Sequence, residues 1–221
     1  MSSSSDAAGA WTGRGAAVPT RVLLLRHGQS PLSVDRRYSG RGNPPLTEVG
    51  QAQAASAAAS VADRYPTASA VVSSPLDRAR STAAPLAAAL GVEVVLDEGF
   101  TETDFGGWEG MTFREAAERD PDVHRAWLGD PSVPPPGGES FDDVAVRVSA
   151  ALHGLLERHA GTTVVLVSHV TPIKTILRLA LDAGPSLLFR LHLDLACLSV
   201  VDFWDDGGAS VRLVNDTSYL R

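Results

Sequence analysis

Three short polar clusters hold the residue types needed to grip an anion and to attack it. Arg26-His27-Gly28, Ser73-Ser-Pro-Leu-Asp-Arg78 and Ser168-His169 together supply two histidines and two arginines. A neutral imidazole nitrogen is a nucleophile or a proton carrier near neutral pH. A guanidinium group is a permanently charged fork that matches phosphate oxygens. Each cluster directly follows an apolar run: Val22–Leu25, Ala70–Val72 and Val164–Val167. If those runs are parallel strands, all three clusters meet at the carboxyl edge of one sheet, where open α/β folds bind ligands. The helices that follow aim their first N–H groups and positive dipole ends at the same place. This describes an anion site with a nucleophile in it, and phosphate is the natural ligand.

Taken singly, each cluster has a simpler explanation. Arg-His-Gly at a strand end is commonly a turn, with Gly28 supplying a positive φ. His169 alone is explained as a satisfied core histidine, and Arg78 alone as a surface ion pair of little energetic weight. The simpler explanations must all hold at once, at three topologically matching places. That coincidence is what the functional reading avoids.

The elements that must position these groups are legible from pattern. Arg21–Leu25, Ala70–Ser73 and Thr163–Val167 read as buried strands, and Val92–Leu96 as a further strand. A helix is expected from about Thr47 to Asp63. A second, N-capped by Ser74 with Pro75 in its first turn, is expected to run to Leu90 and stop at Gly91. Thr112-Phe-Arg-Glu115 is a capping box, and Ser140-Phe-Asp-Asp143 opens a long helix to about His159. The segment 130–138 must be a loop. Pro172 marks the first turn of one more helix, and Leu195–Trp204 with Ser210–Val214 reads as a terminal hairpin. Alternating strands and helices predict an α/β fold: a three-layer sandwich with a mostly parallel, mixed sheet flanked by helices. One domain is expected over 20–221, after a Ser, Gly and Ala rich tail or linker remnant over 1–19.

Composition excludes several classes. The chain has 221 residues and a formal net charge of −7, which disfavours nonspecific nucleic-acid binding. A single cysteine, Cys197, excludes an intramolecular disulfide and a cysteine-built zinc site. It sits in an apolar run and is expected to be a buried, inert thiol. Lys174 is the only lysine, so anion recognition is biased toward guanidinium chemistry. No apolar stretch reaches the roughly 20 residues of a membrane span. The first ten residues lack the features of a signal peptide, so a cytoplasmic location with no membrane partner is expected.

Leu25-Arg-His-Gly-Gln-Ser30 resembles the signature of the histidine phosphatase superfamily, in its phosphoglycerate-mutase-like branch. Further motifs follow in the family's order: Arg37 before Ser39-Gly40, Leu46-Thr-Glu-Val-Gly50, Ser73–Ala79, Glu102 before Phe105-Gly-Gly-Trp-Glu-Gly110, Pro136-Gly-Gly-Glu-Ser140, and Ser168-His169. The resemblance covers roughly residues 20–220. Within the superfamily, Tyr38–Leu46, Val167–Lys174 and Leu213–Tyr219 are similar to the acid phosphatase half of actinobacterial bifunctional ribonuclease H/acid phosphatase proteins, and to α-ribazole phosphatases of cobalamin synthesis. That resemblance implies a possible fusion to a ribonuclease H domain upstream of residue 20. There are two departures from the pattern. Val170 stands where the superfamily commonly has Gly, and Ser33 where mutases have Asn.

The resemblance implies His27 as nucleophile, with Arg26, Arg78 and His169 around the phosphoryl oxygens. Ser33 and Arg37 are implied as further phosphate contacts. Glu102 is implied as general acid, protonating the leaving oxygen and later activating water. Its carboxyl must then be held protonated, which the neighbouring Phe105 and Trp108 would favour. No metal or other cofactor is implied. The expected activity is a phosphomonoesterase acting on a small phosphate ester, α-ribazole 5′-phosphate being one candidate. A phosphoglycerate mutase and a catalytically silent phosphate-binding module remain as alternatives. Residues 105–139 are expected to form a lid, in which Phe105, Trp108, Phe113 and Trp127 either stack a base-like ring or simply pack the lid down, the latter for at least two of them.

Overall fold

The computed structural model describes residues 17–220. The expected tail therefore lies mostly outside the described residues. The sheet is built from β1 (Thr20–Arg26), β2 (Ala68–Ser73), β3 (Val94–Leu96), β4 (Thr163–Ser168), β5 (Leu198–Phe203) and β6 (Ala209–Asp216). Their spatial order is β3-β2-β4-β1-β5-β6. β1, β4, β2 and β3 run parallel, whereas β5 is antiparallel to both β1 and β6. The mixed, mostly parallel sheet expected from the pattern is present, and β1 and β4 lie at its centre.

The central strands are apolar on both faces because helices cover both. Leu23 and Leu25 of β1 pack with Val165 and Val167 against α2 (Glu48–Arg64) and α3 (Asp77–Leu90). Val22 and Leu24, pointing the other way, pack with Val164 and Leu166 against α6 (Phe141–Arg158) and α7 (Val170–Ala180). Period-two alternation thus divides one strand between two cores. Each fully buried Leu or Val adds about 1.5–3 kcal/mol to the driving force. α2 and α3 meet the sheet largely through alanines, among them Ala57, Ala79 and Ala83, so the helices approach the strands closely. No helix among the described residues is long and apolar enough to cross a membrane.

Local signals set most boundaries. Thr47 caps α2 by accepting from the Gly50 N–H, and Gly91 ends α3 in the left-handed region at φ 69°. The expected capping box of Thr112 with Glu115 forms at α4 (Phe113–Arg119), and Ser140 forms another with Asp143 at the expected start of α6. Three short helices carry too little pattern to be read: α1 (Pro31–Val34), α5 (Pro121–Gly129) and α8 (Leu187–Arg190). Two expectations need correction. Ser74 does not cap α3, whose N-cap is Leu76 without a side-chain bond. Gly28 does not have a positive φ. A Cβ there would stand 2.5 Å from the Gly50 carbonyl oxygen, and one on Gly50 would stand 2.1 Å from the Gln29 carbonyl oxygen. The two glycines let the loop after β1 lie directly on the first turn of α2.

Candidate active site

The loops leaving β1, β2 and β4 at one end of the sheet bring Arg26, His27, Arg78 and His169 together. The His27 and His169 rings lie 5.1 Å apart between centroids, tilted by 56°. Backbone bonds fix this convergence: the His27 N–H donates to Ser168 O at 3.0 Å, and the Ser74 N–H donates to Val167 O at 3.0 Å. Parallel pairing is thereby carried one residue beyond the strands, into His27 and Ser74.

His27 is buried, and its Nδ1 lies 2.7 Å from its neighbour's carbonyl, Gly28 O. A carbonyl oxygen only accepts, so Nδ1 carries the hydrogen and Nε2 keeps its lone pair. Burial first, then the Arg26 and Arg78 guanidiniums, holds the His27 pKa well below the ordinary histidine value. His169 is shifted the same way, by burial and then by Arg78, His27, Arg26 and Arg147. Two neutral imidazoles beside two guanidiniums make a nucleophilic but electropositive site.

The arginines are tethered by their outer nitrogens. Arg26 Nη1 donates to Leu193 O at 2.6 Å. Arg78, fully buried, donates to Gly42 O at 2.8 Å and to Ser39 O and Gly40 O, each at 2.9 Å. Glu109 grips the same loop from its N–H side, accepting from Gly40 and Gly42. Arg26 Nε, Arg78 Nε and His169 Nδ1 are all buried and have no protein acceptor. Three orphaned donors of this kind fit a tetrahedral oxyanion, because leaving each one unsatisfied costs about 1–3 kcal/mol.

Glu102 is 5% exposed, and its Oε1 accepts from the Thr103 N–H at 2.8 Å and from the Thr171 N–H at 3.3 Å. Thr171 lies in the first turn of α7, whose N-cap is His169. Glu102 and His169 are therefore held by the same helix start. Arg147 of α6 secures the backbone of Glu102, donating to the carbonyls of Gly99, Thr101 and Glu102 while forming a two-point ion pair with Glu139.

Ser33 and Arg37, expected beside the phosphate, are engaged elsewhere. Ser33 Oγ exchanges hydrogen bonds with the Ser30 backbone in α1, at 2.7 and 2.9 Å. Arg37 Nη1 donates to Gly110 O and to Glu115, each at 2.8 Å, and ties the loop after α1 to the lid. The lid aromatics divide. Trp108 is fully buried, with its indole N–H on Asp120, and Phe113 is exposed beside His124. Phe105 and Trp127 line a cavity of about 170 Å³ together with Tyr38, Phe141, Phe189 and Lys174. Sequence reading missed Ser74, Thr171, Lys174 and Arg147. Only Lys174 carried a signal, as the sole lysine.

The histidine phosphatase superfamily (branch 1) matches residues 22–217. Bifunctional protein Rv2228c of Mycobacterium tuberculosis is 61% identical over 211 residues, which cover 95% of this chain and 57% of that protein. The chain thus spans little more than half the length of this relative. Phosphoserine phosphatase 1 of Hydrogenobacter thermophilus is 34% identical, with 90% of this chain and 94% of that one covered. Among solved structures, YhfR of Bacillus stearothermophilus superposes with a TM-score of 0.83 at 28% identity, covering 91% of this chain and 100% of the other. The chain belongs to the histidine phosphatase superfamily, branch 1.

Proposed function

We propose that the chain is a phosphomonoesterase that acts through a phosphohistidine on His27. The observation that carries this reading is the set of three orphaned donors, Arg26 Nε, Arg78 Nε and His169 Nδ1, around an imidazole whose other nitrogen is tied to a carbonyl. A phosphoryl group offers three equatorial oxygens, and its transition state spreads charge over them. Donors held before the substrate arrives stabilise that charge without reorganising.

In the first step His27 Nε2 forms a bond to phosphorus in line with the breaking P–O ester bond. The departing alkoxide takes a proton from Glu102 and leaves as the alcohol. In the second step the Glu102 carboxylate takes a proton from water. The resulting hydroxide attacks phosphorus and breaks the P–N bond, releasing orthophosphate and neutral His27. No metal enters either step, since Arg26 and Arg78 supply the neutralising charge.

A finer reading takes α-ribazole 5′-phosphate as substrate. It rests on the resemblance of residues 38–46, 167–174 and 213–219 to α-ribazole phosphatases, and on a cavity walled by Tyr38, Phe105, Trp127 and Phe141 that suits a flat ring. The mechanism is tested by brief mixing with substrate and an alkaline quench, which should trap an acid-labile, base-stable phosphoenzyme. His27→Ala should form none and should lose turnover; undiminished turnover in that variant overturns the assignment.

A further inference from the structure

The ordinary part of the substrate, the alcohol to which phosphate is attached, must lie where Glu102 can protonate its oxygen. The cavity that Thr171 lines, one hydrogen bond away from Glu102, has an unusual lining. Its walls are mostly rings, yet it contains the chain's only lysine. Val170 and Thr171, the two residues after His169, form part of its lining, and the Thr171 N–H faces the Glu102 carboxylate. Lys174 lies three residues further along α7, one turn on and on the same face as Thr171. The cavity therefore runs from Thr171, whose N–H donates to Glu102, to the ammonium group of Lys174.

Lys174 Nζ has three donors, and one of them is used, on Leu188 O at 2.7 Å. No carboxylate side chain lines the cavity among the described residues. A second donor there, the buried Trp127 indole N–H, has no acceptor. Burial lowers the Lys174 pKa, the Glu102 charge offsets part of that shift and Arg26 adds to it, and no carboxylate in the cavity wall pairs with the ammonium. The cavity thus sets a hydrogen-bond donor with unused N–H groups among aromatic walls, with no carboxylate beside it.

We infer that Lys174 is a specificity-determining residue: it selects phosphate esters whose alcohol portion is a flat, apolar group bearing a hydrogen-bond acceptor. This rests on the phosphomonoesterase reading. The acceptor is either an anionic oxygen, as in a carboxylate, or a neutral ring nitrogen, and both satisfy the same donor. A charge-assisted bond to a carboxylate is the stronger of the two.

The test uses two matched pairs of esters. Para-ethylphenyl phosphate and para-(carboxymethyl)phenyl phosphate differ by the anion, with a methylene insulating the leaving oxygen from it. Benzyl phosphate and its para-pyridyl analogue differ by the ring nitrogen. The wild-type chain should prefer the acceptor-bearing member of at least one pair, by about 10- to 100-fold in kcat/KM for the carboxylate and about 3- to 10-fold for the nitrogen, chiefly through KM. Lys174→Met should erase that preference while leaving the acceptor-free esters nearly unchanged, and Lys174→Arg should restore most of it. The pair that responds identifies the acceptor. If wild type shows no preference in either pair, or Lys174→Met slows all four esters alike, Lys174 serves only to hold α8 through Leu188 and the inference is overturned. If the wild-type chain hydrolyses none of the four, it is the phosphomonoesterase reading that has failed.

Discussion

His169 Nε2 lies 2.7 Å from Ser74 Oγ, and both side chains are fully buried. The Ser74 hydroxyl must donate its hydrogen somewhere, and Nε2 is its one acceptor among the described residues; the Leu76 N–H, at 3.4 Å, only donates to it. The hydroxyl therefore donates to Nε2, which places the imidazole hydrogen on Nδ1. Nδ1 is the orphaned nitrogen of the site. Ser74 in this way makes His169 Nδ1 an N–H donor.

Ser74→Ala should consequently impair catalysis more than it impairs folding. Loss of the tautomer restraint is expected to lower kcat about 10- to 100-fold, and the unsatisfied buried nitrogen to cost about 1–3 kcal/mol of stability. Nitrogen-15 spectra of the imidazoles check the cause: wild-type His169 should show the hydrogen on Nδ1, and the variant a mixture. An unchanged tautomer with unchanged kcat would remove Ser74 from the site.

Acidification should destabilise the folded chain early. His27 and His169 are held well below 6.5 in the fold, first by burial and then by neighbouring positive charge, whereas in the unfolded chain they titrate near 6.5. Below about pH 6.5 the unfolded state takes up protons that the folded state refuses. The stability contributed by the neutral histidines is therefore complete above that pH and declines as the pH falls toward their folded values. The slope approaches about 1.4 kcal/mol per pH unit for each histidine. Urea melts between about pH 7.5 and pH 5.5 measure this before most carboxylates titrate, and His27→Gln should flatten the dependence.

The loop after β1 has no room for a side chain on its inner face. Gly28→Ala sets a Cβ against the Gly50 carbonyl at 2.5 Å, a backbone contact that no rotamer can relieve. The loop or the start of α2 must move, at a cost of about 1–3 kcal/mol, and His27 moves with it. Thermal melting together with the rate of phosphoenzyme formation checks this. Retention of both would mean that the loop relaxes freely.

The central strands were legible because burial on both faces leaves apolar runs such as Val22–Leu25, and the capping boxes because they are local. The convergence of His27, Arg78 and His169 was legible only through topology, since the polar residues stand just past strand ends. Long-range partnerships left weaker traces. Ser74 has the chemistry of an N-cap, and its real partner lies 95 residues away in sequence. Arg147 looks like one more charge on an amphipathic helix, yet it is bent inward onto the carbonyls of Gly99, Thr101 and Glu102. The resemblance puts Arg37 beside the phosphate, whereas its side chain forms an ion pair with Glu115 of α4. Spacing along the chain gives residue type at a strand end; it does not say which way a long side chain turns.

The role of Glu102 makes its own prediction. If it protonates the leaving oxygen, its importance should rise with the basicity of that oxygen. An alkyl phosphate such as a ribose 5′-phosphate expels a strongly basic alkoxide, whereas p-nitrophenyl phosphate expels a stabilised phenolate. Glu102→Gln keeps the size of the side chain and an oxygen able to accept from the Thr103 and Thr171 N–H groups, but it removes the transferable proton. General acid catalysis contributes about 10²–10⁴-fold, and phosphorylation of His27 by the alkyl ester should slow by that order. The nitrophenyl ester should slow far less. Single-turnover measurements are needed, because hydrolysis of the phosphohistidine also uses Glu102 and is common to both esters. Equal slowing of the first step with both would make Glu102 a positioning residue, and the acid would have to be sought elsewhere, first at His169.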